Sequence, residues 1–271
     1  MSRIDNTFKE LKKKNQKALI PFLMAGDPDL YTTEELILRI FEKGADMIEI
    51  GIPYSDPIAD GKTIQASSKR ALEKQIHIDH VFELLKGLNG KIPPIIVMTY
   101  YNPVLRYGLR RFAEEAKKSG IDGVIISDLP PEEANSWIKE ARGSDMDTIF
   151  LASPTTPFKR IRYISRLTSG FLYYVQFVGV TGMRGYISEE IEQRLKKIKS
   201  EIKKPVVVGF GISNPEQAKT ISSFSDGVVV GSAIVRVVEE NLKDPELVKR
   251  VGDYVKAFSM ALKGGHVGKD L

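Results

Sequence analysis

The run Ala18-Leu19-Ile20-Pro21-Phe22-Leu23-Met24, followed at once by Ala25-Gly26-Asp27-Pro28, decides the fold class. An apolar stretch with no in-out alternation reads as a parallel strand covered on both faces. An open doubly wound sheet, the rival α/β arrangement, needs a glycine-rich fingerprint after its first strand, and Ala25-Gly26-Asp27-Pro28 does not supply one. Similar runs recur at Met47 to Gly51, Ile95 to Thr99, Gly123 to Ser127, Thr148 to Ala152, Phe171 to Gln176, Val206 to Gly209 and Gly227 to Gly231. Successive starts lie 29, 48, 28, 25, 23, 35 and 21 residues apart, the spacing of consecutive βα units.

Segments with helical spacing fall between these runs. Leu36, Ile40 and Phe41 precede Gly44, and Phe112, Ala113 and Ala116 precede Gly120, with both glycines suited to helix C-caps. Further helices are expected over Glu132 to Arg142, Phe158 to Leu167, Glu189 to Ile202, Pro215 to Ile221 and Glu246 to Leu262. The length of 271 residues is close to the ~250 of an eightfold βα barrel, and no Pro/Gly/Ser-rich linker divides the chain. The sequence therefore predicts a single (βα)8 TIM-barrel domain over residues 1–271. It carries an extra N-terminal helix and long loops after strands 2 and 6.

Composition narrows the function. Hydrophobic residues make up 42% and charged residues 28%, which excludes disordered, collagenous and fibrous classes. The balance of 40 basic against 35 acidic residues gives +5. The basic clusters Lys12 to Lys14, Lys196 to Lys199 and Lys203 to Lys204 sit beside acidic residues on helices, so they read as solvated faces. No basic stripe with interleaved aromatics points to nucleic acid. Zero cysteines exclude disulfides, thiolate metal sites and a Cys nucleophile, and fit a reducing compartment. The charged N-terminus lacks a signal core and no apolar run approaches a bilayer span, so a soluble cytoplasmic protein without membrane association is expected.

In a barrel, chemistry sits just after the strands, so those segments form an inventory of functional groups. They carry no Lys for a Schiff base and no His. His77 and His80 fall on an expected helix and His266 in the tail, with no carboxylates at ligand spacing, so no metal site is expected. What remains is acidic and polar. Glu49 sits inside Met47-Ile48-Glu49-Ile50-Gly51, where burial of a carboxylate is costly and raises its pKa towards neutrality, the range useful to an acid-base catalyst. A structural Glu paired with an Arg is the plainer alternative. Eleven residues later comes Asp60, in the Pro- and Gly-punctuated loop Tyr54-Ser55-Asp56-Pro57-Ile58-Ala59-Asp60-Gly61. One dry and one wetter carboxylate facing one pocket hold an acid and a base at the same pH.

The last third of the chain supplies Gly179-Val180-Thr181-Gly182, Gly209-Phe210-Gly211-Ile212-Ser213 and Gly231-Ser232-Ala233 after strands six, seven and eight. Backbone N–H groups around such glycines, with the Ser232 hydroxyl and a helix starting near Ala233, suit a phosphate. Between the acidic and phosphate ends, Phe22, Tyr100, Tyr173 and Phe210 are placed to line an apolar slot for a flat ring.

The string from Ile48 to Gly61, continuing through Thr63-Ile64-Gln65, closely resembles the signature of the tryptophan synthase α subunit family. The likeness extends to Pro21-Phe22 with Ala25-Gly26-Asp27-Pro28, Tyr100, Asn102-Pro103, Asp128-Leu129-Pro130 and the three glycine segments. Gln176-Phe177-Val178 and Met183-Arg184-Gly185 depart from the family pattern. The resemblance implies a lyase that cleaves indole-3-glycerol phosphate to indole and glyceraldehyde 3-phosphate and passes indole to a β subunit in an α2β2 complex. It implies Glu49 and Asp60 as catalytic residues, and Phe22, Tyr100, Tyr173 and Thr181 as substrate-binding ones, Thr181 bonding Asp60 on loop closure. It implies Gly182, Gly211, Gly231 and Ser232 as the phosphate cradle and Asp56 as an interface residue. No metal or organic cofactor is implied for this chain, because pyridoxal phosphate belongs to the β subunit. A sugar-phosphate isomerase on the same scaffold and a mainly regulatory subunit are the other readings of these residues.

Overall fold

A computed structural model describes residues 1–175, 189–209 and 211–264. The strands are β1 (Ala18–Met24), β2 (Ile48–Gly51), β3 (Ile95–Thr99), β4 (Ile121–Ile126), β5 (Asp147–Ile149), β6 (Leu151–Ala152), β7 (Leu172–Val175), β8 (Val206–Gly209) and β9 (Gly227–Val230). The helices that lead to the second half of the barrel are α1 (Arg3–Lys13), α2 (Leu30–Glu42), α3 (Lys62–Glu73), α4 (Ile78–Leu88), α5 (Tyr101–Tyr107), α6 (Leu109–Lys118) and α7 (Asn135–Gly143). They continue with α8 (Phe158–Leu167), α9 (Glu189–Glu201), α10 (Pro215–Ser222), α11 (Ser232–Glu240) and α12 (Leu247–Lys263).

Every strand pairing is parallel, in the order β5-β4-β3-β2-β1-β9-β8-β7-β6. The two ends of that order, β5 and β6, are separated only by Phe150. They are halves of the expected fifth strand, the first pairing with β4 and the second with β7. The Phe150 carbonyl accepts from the Tyr173 N–H at 3.1 Å and carries the ladder across the break. The sheet therefore closes through one residue into the expected barrel, and the open-sheet alternative is excluded. The continuous apolar runs have their predicted cause, since each strand is buried along its length apart from half-buried Leu151.

Helix boundaries follow capping chemistry. Asp29 accepts from the Thr32 N–H at the start of α2, and Asn214 from the Gln217 N–H at the start of α10, where Pro215 takes the first helical position. Gly44 and Gly120 lie just beyond the C-caps of α2 and α6 with φ of +97° and +83°. Leu36 and Ile40 face the core as expected, but Phe41 is exposed, because it stands one residue, about 100° around the helix, from Ile40. Of the long stretch after β2, residues 52–61 are loop, and α3 and α4 follow with short connections before β3. The expected loop after the sixth strand falls in 176–188, outside the described residues.

The N-terminal helix α1 covers the amino end of the barrel. Its Ile4 approaches Gly123 and Gly170, its Phe8 meets Phe171 edge-on at 5.8 Å, and Arg3 pairs with buried Asp122 at 3.0 Å. At the other end of the chain, α12 packs against α2 and α10, and Lys263 bonds both the Gly44 carbonyl and Asp46. Among the described residues no helix is long and apolar enough to cross a membrane.

The α2–β2 turn is a sensitive point of this packing, since a Cβ at Gly44 would lie 2.4 Å from the Ser259 Oγ on α12 as well as forcing a left-handed backbone. Gly44→Ala is expected to cost about 1–3 kcal/mol, lowering Tm by several degrees in thermal unfolding followed by circular dichroism. An unchanged Tm would contradict this account of the turn.

Candidate active site

The carboxyl ends of the strands surround a pocket. Its lining brings together seven residues singled out in the sequence: Phe22, Glu49, Asp60, Tyr173, Gly211, Gly231 and Ser232. Ile64, Met98, Ile212 and Val229 complete the wall. Thr181, Gly182 and Phe210 lie outside the described residues.

Strand register explains the convergence. In parallel strands, residues in register share a face, and β1 pairs with β2 so that Phe22 stands beside Glu49. The same alternation puts Gly51 two residues on, against the Phe22 ring, where a Cβ would come within 2.7 Å of Cζ. On the far side, a Cβ at Gly209 would lie 2.4 Å from the Tyr173 hydroxyl. The two aromatic rings occupy space that only glycine on the neighbouring strand leaves open.

Glu49 is fully buried, and its Oε2 has no hydrogen-bond partner. Among the described residues no arginine or lysine pairs with it. Burial raises its pKa to about 8, and the negative charge of Asp60 adds to the rise. At neutral pH the carboxyl is held largely protonated beside a pocket, its Oε2 without a hydrogen-bond partner among the described residues.

Asp60 is half-buried and reaches the same pocket from the loop after β2. Burial raises its pKa to about 6, while a hydrogen bond from the Tyr100 hydroxyl works in the opposite direction. The pair therefore divides as one protonated and one ionised group near neutrality. The loop is fastened at several points. The Tyr54 N–H donates to the Ser68 Oγ and the Ser68 hydroxyl donates back to the Tyr54 carbonyl, both at 2.9 Å. Gln65 donates to the Asp60 carbonyl at 2.9 Å, and the Ala59 N–H donates to the Tyr100 hydroxyl at 3.0 Å.

Tyr100 stands beside the main pocket. Its ring packs against Tyr54 with centroids 5.0 Å apart, and it lines a smaller cavity next to the main pocket, shared with Asp60, rather than the pocket itself. Its hydroxyl is bonded to the Asp60 loop, accepting from the Ala59 N–H and donating to Asp60. Tyr173 is buried, and its pKa is raised by that burial and by the two carboxylates. Asp56 is exposed, outside the pocket lining, with the Ser55 hydroxyl donating to it at 2.5 Å.

In the same lining, α11 begins at Ser232 with Gly231 as its N-cap, and no side chain caps its first turn. The first N–H groups of a helix have no acceptor within it, and the helix dipole favours an anion there. That first turn contains no acidic residue. Gly211, with φ of +78°, turns the backbone after β8 towards the same end of the pocket.

Fold and pocket together are those of a (βα)8-barrel enzyme. The sequence profile described as "Tryptophan synthase alpha chain" matches residues 8–262. The tryptophan synthase alpha chain of Geotalea uraniireducens (strain Rf4) is 48% identical over 264 residues, covering 97% of this chain and 98% of that protein. The crystal structure of tryptophan synthase subunit alpha from Legionella pneumophila str. Paris aligns with a TM-score of 0.91 at 35% identity, covering 97% of this chain and 99% of that one. A chain of the tryptophan synthase α2β2 complex from Pyrococcus furiosus aligns at 0.84 with 40% identity, covering 90% and 98%. The chain belongs to the tryptophan synthase alpha chain family.

The raised pKa of Glu49 has a thermodynamic consequence. A carboxyl with a folded pKa above its unfolded one contributes stability in full below the unfolded pKa, and that contribution is lost as pH rises through the folded pKa. The window runs from about 4.5 to about 8. Glu49→Gln, neutral at every pH, is expected to gain stability relative to the parent across this window, by a few kcal/mol at its upper end, at roughly 1.4 kcal/mol per pKa unit. Urea denaturation of both proteins at a series of pH values checks it, and a difference independent of pH would contradict the assignment.

Proposed function

We propose that Glu49 and Asp60 carry out the retro-aldol cleavage of indole-3-glycerol phosphate within a barrel formed by the whole chain, residues 1–271. The family's α reaction belongs to tryptophan biosynthesis, and the chain is a carbon–carbon lyase that releases indole and glyceraldehyde 3-phosphate. The observation that supports these residue roles above any other is the buried Glu49 carboxyl, its Oε2 without a partner among the described residues, in one pocket with Asp60.

Protonated Glu49 donates its proton to C3 of the indole ring. The ring nitrogen then bears positive charge, and the ionised Asp60 accepts a hydrogen bond from its N–H and stabilises that charge. Glu49, now a carboxylate, withdraws the proton of the side-chain hydroxyl next to the ring. The bond between C3 and that carbon breaks, its electron pair restores the indole, and the hydroxyl carbon becomes the aldehyde. Glu49 ends protonated as it began, so the cycle needs no external acid or base. Dry walls from Phe22, Tyr173, Met98 and Val229 enclose the flat ring and strengthen each charge interaction. Gly211, Gly231 and Ser232 receive the phosphate at the start of α11, joined by Gly182, and Thr181 bonds Asp60 when the loops close. Phe22 and Tyr173 contact the substrate ring.

The partner of this chain is a tryptophan synthase β subunit. In the proposed α2β2 assembly Asp56, exposed on the loop that also carries Asp60, meets the β subunit and links its docking to the geometry of the active site. Pyridoxal phosphate resides in that subunit, and the assembly works in the cytoplasm.

Indole release from indole-3-glycerol phosphate tests the reading. Glu49→Gln and Asp60→Asn are each expected to lower kcat by about 10²- to 10⁴-fold with the fold retained, as for loss of an acid-base or charge-stabilising group. Full turnover in both variants, or no release by the parent with its β subunit, would overturn it.

A further inference from the structure

Arg70 lies outside the pocket lining, yet it is tied to two elements that each contribute residues to it. It projects from α3, the helix that begins at Lys62 directly after the Asp60 loop and carries Ile64 into the pocket wall. Its Nε and Nη2 each donate to one oxygen of Asp27 at 2.8 Å, a bidentate pair to a carboxylate that is 2% exposed. Its remaining nitrogen, Nη1, donates to Glu239 at 2.9 Å. Glu239 stands on α11, whose first turn forms the phosphate end of the pocket. One planar guanidinium thus spans α3, the loop after β1 and α11.

The surroundings make this junction stiff. Gly26, next to Asp27, has φ of +83° and sits so close to Ile76 that a Cβ would lie 2.6 Å from its Cγ1. The Gly26 N–H donates to Thr33 at 3.0 Å, and Lys74 bonds the Pro28 carbonyl. The far half of α3 is therefore docked on the β1 loop, and α3 also packs along α11. Arg70 lies roughly 12 Å along the helix from Lys62 at 1.5 Å per residue, so a tilt at this point is carried to Asp60.

We propose that Arg70 is a positioning residue that fixes the distance between the Asp60 end and the phosphate end of the active site, by clamping α3 to α11 through Asp27 and Glu239. The inference rests on the function proposed above, in which one substrate reaches both ends. A ligand that occupies only one end is indifferent to that distance. A ligand that spans the pocket is not, and a misplacement of about 1 Å is enough to cost up to 10²-fold in rate.

The test compares one-ended and two-ended ligands on the full chain. Arg70→Gln is expected to weaken binding of indole-3-propanol phosphate, an unreactive ligand that spans the pocket, by about tenfold, and to lower kcat by a similar factor. Binding of indole alone and of inorganic phosphate alone stays within about twofold, because each reads a single end. Arg70→Lys, which keeps the charge but loses the bidentate fork, falls between Arg70→Gln and the parent. Glu239→Gln weakens the spanning ligand in the same direction while leaving the Asp27 pair intact, and decides the matter if Arg70→Gln does not fold. Equal effects on all three ligands, or none on the spanning one, would overturn the proposal. Failure of the parent to cleave indole-3-glycerol phosphate would contradict the proposed function instead, and the two failures are told apart by the parent's own activity.

Discussion

Burial of the Glu49 carboxyl, its Oε2 without a partner among the described residues, is the constraint on which the rest of the site depends. An ionised carboxylate there would be desolvated, with no compensating cation among the described residues, so burial favours the neutral group, and a neutral carboxylic acid at physiological pH is a proton donor. The cost is tolerated because the barrel's register leaves no other place for the side chain. Glu49 shares its inward face with Phe22 on β1 and Ile96 on β3. Asp60 sharpens the effect, since its charge opposes ionisation of Glu49 while its own loop is held in place by Tyr100, Ser68 and Gln65.

The two ends of the pocket are built from different materials. The acid end uses side chains on a strand and a braced loop, where burial sets protonation. The anion end uses backbone, with the first turn of α11 left free of a side-chain cap and of acidic residues, and Gly211 turning in beside it. Between them, glycines at 51 and 209 give room to the rings of Phe22 and Tyr173. Rigid strands thus set the shape of the slot, while helix α3 and helix α11, joined through Arg70, set its length.

Much of this was legible in the sequence because the relevant residues break a local pattern. A carboxylate inside an apolar strand and glycines after three successive strands conflict with plain core packing, and such conflicts mark sites. Ile64, Met98, Ile212 and Val229 break no pattern, since an apolar residue facing a pocket looks the same as one facing the core until register is known. Tyr100 stood at a strand end like Phe22 and Tyr173, but only the fold shows its hydroxyl turned to the Asp60 loop. The division of the fifth strand at Phe150 was hidden for a similar reason, because the run from Thr148 to Ala152 is uniformly strand-like and the change of partner is a property of closure. Arg70 and Glu239 break no local pattern either, and the ion pairs of Arg70 with Asp27 and Glu239 join distant parts of the chain.

The most direct measurement is a titration of the Glu49 carboxyl itself, by carbon-13 NMR of glutamate-labelled protein with the resonance assigned through Glu49→Gln. The account predicts a pKa of about 8 in the parent, moving downward in Asp60→Asn when the neighbouring charge is removed. A resonance that titrates near the ordinary glutamate value of roughly 4.3 and does not respond to Asp60 would contradict it.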